Sequence, residues 1–436
     1  MKRKLSFKKR LTNQSKKIAA VALSLSMAFG ISGLTFEKPV MTYAAETATD
    51  LENATFSWDN ATVYFLLTDR FKNGDTSNDN AYGRQDVPMT DKRATFHGGD
   101  FAGITQQIEA GYFDDLGVNA IWLTAPYEQI HGYIVGGDQF FHYSYHGYYV
   151  LDYTEPDQAY GTKQEFQKLV DTAHEHGIRI VMDVVMNHAG YNSMYDMNEY
   201  GFGTLKSGWQ NYYNSQHSST AGYHDNIDYN SSASDWGKWW GAGWIRSGLP
   251  GYTEGGNDEK TSSLLGLPDF KTESGASVGI PELLKTKWTK EGTYNEKVSK
   301  YGSSGTVRSY LTKWLSEWVE TYGVDGFRCD TAKHVEFESW KALKDASNAA
   351  LKKWRQNNPN KPGAQWTDDF WMTGEHWEHN VGYGKDGYFT AGGFDSMINF
   401  ETQGGGLLAA GTLANLYDGY ASEITGTDGI NALSYF

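Results

Sequence analysis

The chain has 436 residues, of which 39% are hydrophobic and 15% aromatic, so its composition excludes a disordered protein and allows a large buried core. Its formal net charge is −15, and this becomes −23 when residues 1–45, with nine basic residues and one acidic residue, are left out. Such a surface repels nucleic acid and anionic membranes, and it suits neutral substrates and bound cations. With a single cysteine, Cys329, the chain forms no intrachain disulfide.

The N-terminus has the pattern of a secretory signal peptide. Residues 1–17 carry eight basic residues and no acidic one, residues 18–36 are largely apolar, and the small-residue stretch 42–45 follows. This order of segments predicts cleavage near Ala44 or Ala45, a signal peptide at 1–45 and an extracellular mature protein. An uncleaved membrane anchor is the alternative, although Ser and Gly residues interrupt the apolar run.

From residue 61 onward, apolar strands alternate with helical patterns. A strand is predicted over 61–68, and three later units each consist of a helical pattern, a glycine and an apolar strand. Serial units of this kind predict a parallel barrel whose active residues lie at the C-terminal ends of its strands. The three units are helix 104–116, Gly117 and strand 118–124; helix 165–176, Gly177 and strand 178–184; and helix 311–322, Gly323 and strand 324–330. Further strands are predicted at 370–374, 393–398 and 430–436.

The alternation stops between residues 189 and 306, where Gly, Ser, Asn, Tyr and Trp predominate. We therefore predict an inserted domain or lid with little regular structure at 189–306. It separates a first part of the barrel at 46–188 from a second part at 307–436. Its aromatic residues, such as those of segment 236–244, suit either stacking on sugars or the core of an irregular domain.

The strand predicted at 324–330 ends in a charged pair. Arg328 and Asp330 are two residues apart, so their side chains lie on the same face of the strand. A fixed guanidinium beside a carboxylate favours its ionised form, as a nucleophile requires. A buried ion pair that only stabilises the end of the strand is the alternative.

Oxygen-bearing side chains gather around a glycine turn near residue 74. Asn73, Asp75, Asn78 and Asp79 lie within seven residues, and Asp100 follows later in the chain. Hard oxygen ligands suit Ca²⁺, although the spacing is not that of an EF-hand. Loops rich in Asn and Asp are also common as simple turns, so both interpretations stay open. A second candidate pair, distant in sequence, is Asn187 and Asp269.

Six short motifs follow one another along the chain. They are LLTDRF at 66–71, YHGYY at 145–149, DVVMNH at 183–188, LPDF at 267–270, GFRCDTAKH at 326–334 and GEHW at 374–377. In identity and order these motifs resemble the signature regions of the α-amylase family of glycoside hydrolases, and the resemblance covers nearly everything after residue 56. It implies an α/β fold, a (β/α)₈ TIM-type barrel with an inserted domain after the third strand. It also implies action on α-1,4-linked glucans with retention of anomeric configuration.

The resemblance also assigns roles to individual residues. It implies that Asp330 is the nucleophile, Glu375 the general acid/base, and Arg328 the cation that holds Asp330 ionised. A retaining mechanism needs such a pair, one carboxylate to attack the anomeric carbon and one carboxylic acid with a raised pKa to protonate the leaving oxygen. The residues that the resemblance implies for substrate binding are Arg328, His146, His188, Tyr148, Lys333 and His334.

Two calcium sites are implied by the same resemblance. The first is the family's shared site, which joins the inserted domain to the barrel through Asn187, Asp269 and the backbone carbonyl of His334. The second resembles a site of cyclodextrin glycosyltransferases and related amylases. Its implied ligands are Asn73, Asp75, Asn78, Asp79, Gly98 and Asp100.

Two features depart from the family pattern. Segment 272–304 extends the insertion, as in periplasmic-type α-amylases, and its role stays open. The family's third catalytic carboxylate and eighth strand have no match before Phe436. We therefore expect the natural protein to continue with that strand and a C-terminal β-sandwich, and we expect residues 46–436 alone to be inactive and to aggregate.

Three functions are compatible with these observations. The first is a secreted hydrolase of internal α-1,4 bonds, which we expect to be a monomer at full length. The second is a cyclodextrin-forming transglycosylase with the same chemistry. The third is a non-catalytic glucan-binding barrel, which the presence of Arg328, Asp330 and Glu375 disfavours.

Overall fold

A computed structural model describes residues 55–84, 93–135, 141–208, 226–377 and 386–400, together with residue 415 and the backbone of 433–434. The predicted signal peptide at 1–45 lies outside the described residues. All described helices and strands belong to the unit Ser57–Phe436. Among the described residues, no helix is both long enough and apolar enough to cross a membrane.

The barrel sheet contains seven described strands, and their order in the sheet is their order in the chain. Every neighbouring pair is parallel, and each strand lies within one of the predicted strands. The fold class is therefore confirmed as α/β, a TIM-type barrel represented by strands 1 to 7. The strands are Val63–Leu66, Ala120–Leu123, Arg179–Val184, Gly326–Cys329, Trp371–Gly374, Ser396–Ile398 and Leu433–Ser434.

Each of the three predicted helix–glycine–strand units is present. Gly117, Gly177 and Gly323 have φ values of 74°, 76° and 83°, a left-handed conformation that only glycine adopts without strain. The chain therefore leaves the helix at each glycine and enters the following strand. The described α-helices are Thr68–Phe71, Phe101–Glu109, Tyr112–Leu116, Lys163–Glu175, Met194–Tyr200, Ala233–Trp236, Glu282–Lys290, Tyr294–Tyr301, Val307–Tyr322, Phe337–Asn357 and Asp386–Thr390.

The prediction of one continuous helix at 104–116 was wrong. The structure has two helices there, Phe101–Glu109 and Tyr112–Leu116, separated by Gly111 with φ of 77°. The apolar periodicity crosses the break because both helices bury one face against the barrel, so the pattern alone did not show it.

Among the described residues, three two-stranded antiparallel sheets lie outside the barrel: Tyr127–Gln129 with Val150–Pro156, Ile134–Val135 with Phe141–His142, and Ile245–Arg246 with Asp269–Phe270.

Helix Val307–Tyr322 shows how the helices cover the barrel. Its predicted apolar face is buried, with Leu311, Trp314 and Leu315 fully enclosed. Each large apolar side chain buried in this way contributes roughly 1.5–3 kcal/mol. The helix therefore fixes the position of the strand that begins at Gly326.

The inserted segment 189–306 is packed around its own aromatic residues. Trp236, Trp239, Trp240 and Trp244 are all buried, which favours the core interpretation of these side chains over sugar stacking. The segment is also more helical than predicted, because helices Glu282–Lys290 and Tyr294–Tyr301 occupy most of the extension 272–304. The boundaries of the inserted domain stay a prediction.

The extension packs against the barrel around one buried carboxylate, that of Asp152. Asp152 Oδ2 lies 3.1 Å from Lys287 Nζ and accepts a 2.7 Å hydrogen bond from Trp288 Nε1. Lys297 Nζ is 3.8 Å from the same oxygen and 2.6 Å from Glu155. Both helices of the extension are thus tied to strand Val150–Pro156.

Candidate active site

The predicted catalytic carboxylates follow two neighbouring strands of the sheet. The backbone amide of Asp330 donates to the carbonyl of Val184 (2.8 Å), and that of Glu375 donates to the carbonyl of Cys329 (2.9 Å). The ladder of hydrogen bonds therefore continues just past both strands. Because parallel strands end at the same edge, Asp330 and Glu375 lie side by side at the C-terminal edge of the barrel.

The Arg328 guanidinium contacts three carboxyl groups at this edge. Its Nη1 lies 3.0 and 3.1 Å from the two oxygens of Asp183 and 2.9 Å from Asp330 Oδ1. Its Nη2 lies 3.1 Å from Glu375 Oε2. One fixed cation therefore holds Asp330 and Glu375 in place, and the predicted contact between Arg328 and Asp330 is present.

Three carboxyl groups around one cation leave an excess of negative charge, which a bound proton relieves. Burial raises the pKa of Asp330, while Arg328 opposes this effect. Burial and the neighbouring Asp330 charge raise the pKa of Glu375. The interaction between the two carboxyl groups lowers the pKa of Asp330 and raises that of Glu375, which favours a proton on Glu375 over one on Asp330.

Asp183 is a site residue that the sequence analysis did not assign. It is fully buried, and its Oδ2 accepts hydrogen bonds from Trp122 Nε1 (3.1 Å) and the Tyr148 hydroxyl (3.1 Å) in addition to its contact with Arg328. It is also the register partner of Arg328 on the adjacent strand. The sequence did offer one sign of its importance, because Asp183 is the one acidic residue of the otherwise largely apolar strand Arg179–Val184.

Tyr148 joins the two predicted histidines to this cluster. Its backbone amide donates to His146 Nδ1 (3.0 Å), and its carbonyl accepts from His188 Nε2 (3.2 Å). Burial lowers the pKa of His146 to about 3 and that of His188 to about 4, so both rings are neutral at pH 7. Neutral imidazoles suit hydrogen bonding to sugar hydroxyls without adding charge to the site.

The loop after Asp330 carries the remaining predicted substrate contacts. Thr331 has a left-handed backbone with φ of 47°, and its amide donates to Glu375 Oε2 (3.1 Å). Lys333 Nζ lies 3.8 Å from Glu259 Oε1, and His334 Nδ1 donates to the carbonyl of Glu259 (2.6 Å). The inserted segment therefore reaches both predicted binding residues of this loop.

Trp377 is a further site residue that sequence reasoning did not assign. It lies two residues after Glu375, and 56% of its surface is exposed, unlike the buried tryptophans of the insertion. An indole at a strand end offers a flat face for a sugar ring. The signal was available in the GEHW motif, where a tryptophan lies two residues after the predicted acid.

Two ligands of the predicted shared calcium site lie on neighbouring backbones. The amide of Phe270 donates to the carbonyl of Asn187 (2.8 Å), which brings Asp269 beside Asn187. Asp269 is buried; its Oδ2 lies 2.7 Å from Arg246 Nη1, and its Oδ1 has no hydrogen-bond partner among the described residues. Burial raises the pKa of Asp269 to about 7. A buried carboxylate oxygen without a partner fits a cation ligand. The predicted third ligand is the backbone carbonyl of His334, and its place in this site stays a prediction.

The second predicted calcium loop also contains unpartnered oxygens. Within the part of the chain that the structure describes, Oδ1 of Asn73 and Oδ1 of Asn78 are buried without hydrogen-bond partners, and Asn73 Nδ2 donates to Asp79 Oδ1 (2.6 Å). A Cβ on Gly98 would lie 2.5 Å from both Asn73 and Asp79, so only glycine fits against them. This oxygen set suits calcium.

Asp75 and Asp100 are placed differently from those oxygens. Asp75 is half-buried, and its Oδ1 accepts the amide of Ser77 (2.9 Å). Asp100 is buried, and it accepts the amides of Gly74, Asp75 and Gly103. In this arrangement Asp100 holds the loop and caps the following helix.

One other group of potential metal ligands was not predicted: His131, Asp196 and Glu199, the one His–carboxylate group at coordination distance within the described ranges. Burial alone lowers the pKa of His131, but hydrogen bonds to Glu128 (3.0 Å) and Glu199 (2.7 Å) raise it to about 9. The resulting imidazolium already pairs with Glu128 and Glu199 through its two ring nitrogens. The geometry is explained by a buried ion-pair cluster.

Comparison with known proteins supports the interpretation of these motifs. The family described as "Alpha amylase, catalytic domain" matches residues 65–243. The periplasmic α-amylase of Escherichia coli (strain K12) is 45% identical over 406 residues, which is 90% of this chain and 57% of that protein. The cyclomaltodextrin glucanotransferase of Geobacillus stearothermophilus is 36% identical over 197 residues, 44% of this chain and 27% of that protein. The chain thus spans less than two thirds of the length of these relatives.

A solved structure supports the fold. The α-amylase from Geobacillus thermoleovorans, complexed with acarbose, matches with a TM-score of 0.50 and 21% sequence identity. The match covers 88% of this chain and 62% of that chain. At this identity the likeness concerns the fold alone.

Proposed function

We propose that this chain, which belongs to the α-amylase family, is the catalytic part of a secreted retaining glycoside hydrolase that cleaves internal α-1,4-glucosidic bonds of starch-like glucans. The observation that carries the proposal is the contact of Asp183, Asp330 and Glu375 with the single guanidinium of Arg328 at the strand ends. Export is supported by the periplasmic location named for the relative from Escherichia coli.

The roles of the two carboxyl groups follow from their environments. Asp330, ionised beside Arg328, attacks the anomeric carbon while the Glu375 proton passes to the leaving glycosidic oxygen. An ester between the sugar and Asp330 forms as the glycosidic bond breaks. Glu375 then takes a proton from water, which hydrolyses the ester and restores both groups.

The spacing of the two groups supports retention over inversion. Retaining enzymes place their carboxyl groups about 5–5.5 Å apart, whereas inverting enzymes need roughly 6.5–9.5 Å to admit a water molecule. Asp330 Oδ1 and Glu375 Oε2 lie 2.9 and 3.1 Å from the two terminal nitrogens of the same Arg328 guanidinium, which favours the closer spacing. The test is to follow the newly formed reducing ends by NMR during hydrolysis. Retention predicts that they appear first as the α anomer.

Other residues of the site bind and orient the glucan in this proposal. His146 donates to a sugar hydroxyl from Nε2, because its Nδ1 accepts from the Tyr148 amide. His188 binds the same sugar, and Tyr148 stacks on it at the cleavage point. Lys333 reaches the sugars beyond it. Trp377 adds an exposed aromatic face next to Glu375.

Calcium at two sites is part of the proposal. Asn187 and Asp269, with the carbonyl of His334, would hold one ion, and Asn73, Asn78 and Asp79 would contribute to the other. Calcium supplies charge compensation for buried oxygens and ties the insertion to the barrel. The unpartnered oxygens of Asp269, Asn73 and Asn78 support this assignment.

Transglycosylation is the second candidate, because a stretch of 197 residues is 36% identical to a cyclomaltodextrin glucanotransferase. Both reactions share the ester on Asp330, and they differ in whether water or a sugar hydroxyl accepts the glycosyl group. Product analysis on soluble starch separates them: linear reducing sugars indicate hydrolysis, and cyclic products indicate transfer.

Substitutions that remove the nucleophile or the general acid/base test the proposal in the full-length protein. Asp330→Asn and Glu375→Gln each remove one role with little change in volume, so each should reduce starch hydrolysis by several orders of magnitude without loss of fold. Azide should affect the two variants differently, because a small anion can replace a nucleophile or intercept the ester. The matched control is Asp171→Asn, which removes a carboxylate paired with Lys361 outside the site. Hydrolysis near the control's rate in either variant would remove that residue from its role.

A further inference from the structure

A short turn of the inserted segment, Asp258–Thr261, reaches the loop that follows the nucleophile strand. Lys260 Nζ donates hydrogen bonds to the carbonyls of Lys333 (2.7 Å) and Val335 (2.9 Å). These are the carbonyls on either side of His334. One ammonium group therefore spans the loop that carries two of the proposed substrate contacts.

The residue before Lys260 contacts the same loop at two further points. The Glu259 carbonyl accepts the hydrogen bond from His334 Nδ1, and its carboxylate lies 3.8 Å from Lys333 Nζ. Asp258 fixes the turn itself, because its carboxylate accepts the amide of Lys260 (2.9 Å) and the hydroxyl of Thr261 (2.6 Å). Glu259 and Lys260 thus act from a preformed turn.

The barrel holds this loop mainly from its other side. The amides of Thr331 and Ala332 donate to Glu375, and Trp340 Nε1 donates to the carbonyl of Ala332 (3.0 Å). These contacts concern the start of the loop. The part that carries Lys333 and His334 is held by the insertion, through two hydrogen bonds from the charged Lys260 ammonium and one from His334 to the Glu259 carbonyl.

We propose that Lys260 is a positioning residue for glucan binding, which fixes Lys333 and His334 from the inserted segment and so sets the affinity for the sugars beyond the cleavage point. The proposal rests on the proposed function for the meaning of Lys333. It makes the insertion part of the substrate-binding apparatus without requiring any of its residues to touch the substrate.

The hydrogen bonds from Lys260 to the carbonyls of Lys333 and Val335 are called the Lys260 clasp below. The first measurement tests this clasp without reference to activity. In the full-length protein, Lys260→Met keeps the aliphatic stem and removes the donors, so hydrogen exchange at the amides of 332–335 should become at least tenfold faster. Lys260→Arg should restore slow exchange, because a guanidinium can also donate to both carbonyls. The control is Lys271→Met, an insertion lysine that donates to the carbonyl of Ala242 instead. Unchanged exchange in Lys260→Met overturns the proposal.

The second measurement tests its consequence for binding. Lys260→Met should raise KM for maltoheptaose about five- to tenfold and leave kcat within about twofold, whereas KM for a substrate too short to reach Lys333 stays constant. In a Lys333→Met background the same substitution should add little, because it acts through Lys333. Equal KM changes for both substrates, or additive effects, overturn the proposal. If the wild-type protein cleaves no α-glucan, the proposed function fails, and the exchange measurement still decides the clasp.

Discussion

Asp152→Asn is predicted to destabilise the protein strongly, because Asp152 anchors the extension 272–304 to the barrel. The carboxylate is completely buried, and it contacts Lys287, Trp288 and Lys297. Burial alone raises the pKa of Asp152, but the two lysines lower it well below its usual range. The ionised form is therefore the one that the folded protein stabilises.

The magnitude follows from the loss of one partner of a buried ion pair. Lys287 is only 2% exposed, and it keeps Glu128 (2.8 Å) and Glu291 (2.7 Å) as partners when Asn replaces Asp152. The substitution therefore removes a buried, charged hydrogen-bond acceptor rather than the last partner of a lysine, a loss of about 1.5–3 kcal/mol. With an unfolding entropy of about 2.1 cal/mol/K per residue over a unit of about 380 residues, this corresponds to a decrease in Tm of about 2–4 °C.

Calorimetry of the full-length protein at pH 7 checks this value. Lys285→Met is the matched control, since the one described partner of Lys285 is the exposed Glu282 on the same helix and the substitution should cost less than about 0.5 kcal/mol. The folded pKa of Asp152 is depressed, so its contribution is present above the unfolded value of about 3.9 and is lost as the pH falls below it. The gap between wild type and Asp152→Asn should therefore close in acid. A variant that melts at pH 7 like the control would refute the reasoning.

Two further predictions concern calcium and pH. Chelation should lower Tm, because a ligand bound only to the folded state stabilises it, and Asp269→Ala and Asn73→Ala should each remove part of that effect; unchanged melting together with no bound calcium by mass spectrometry would contradict both sites. Activity should decrease as the pH rises through the pKa of Glu375, which burial and the Asp330 charge place above its usual range. The test is a profile of kcat/KM against pH, and an alkaline limb at the pKa of an ordinary glutamate would contradict the assignment.

The fold could be predicted because its strands are largely apolar runs, and three of them follow a helix that ends at a glycine. All seven predicted strands are present, since strands buried on both faces leave a clear pattern in the sequence. The break at Gly111 was missed because the pattern records which face is buried and not whether the helix axis continues. The helices of the extension were missed because Gly- and Lys-rich surroundings conceal short amphipathic segments.

Site residues could be predicted where they belong to one recognisable motif. They could not be predicted where their contact depends on how two strands pair. Arg328 and Asp330 share one face of one strand, so their contact follows from spacing. Asp183 belongs to another strand, and only the register of the sheet shows that it faces Arg328. The clasp by Lys260 depends on a loop more than seventy residues away from its partner in sequence, a distance over which no local pattern applies.

The protonation of Glu375 illustrates why geometry had to be added to the motifs. Each of the three carboxyl groups alone would be ionised at pH 7. Placed around one arginine and out of water, they cannot all be ionised without a large electrostatic cost, and burial makes that cost greater. The interaction between Asp330 and Glu375 and the Nη1 contacts of Arg328 with Asp183 and Asp330 favour a proton on Glu375. Asp183 thus influences the protonation of Glu375 through Arg328. Because both carboxyl groups contact the same guanidinium, Asp183 weakens the stabilisation that Arg328 gives to an ionised Glu375.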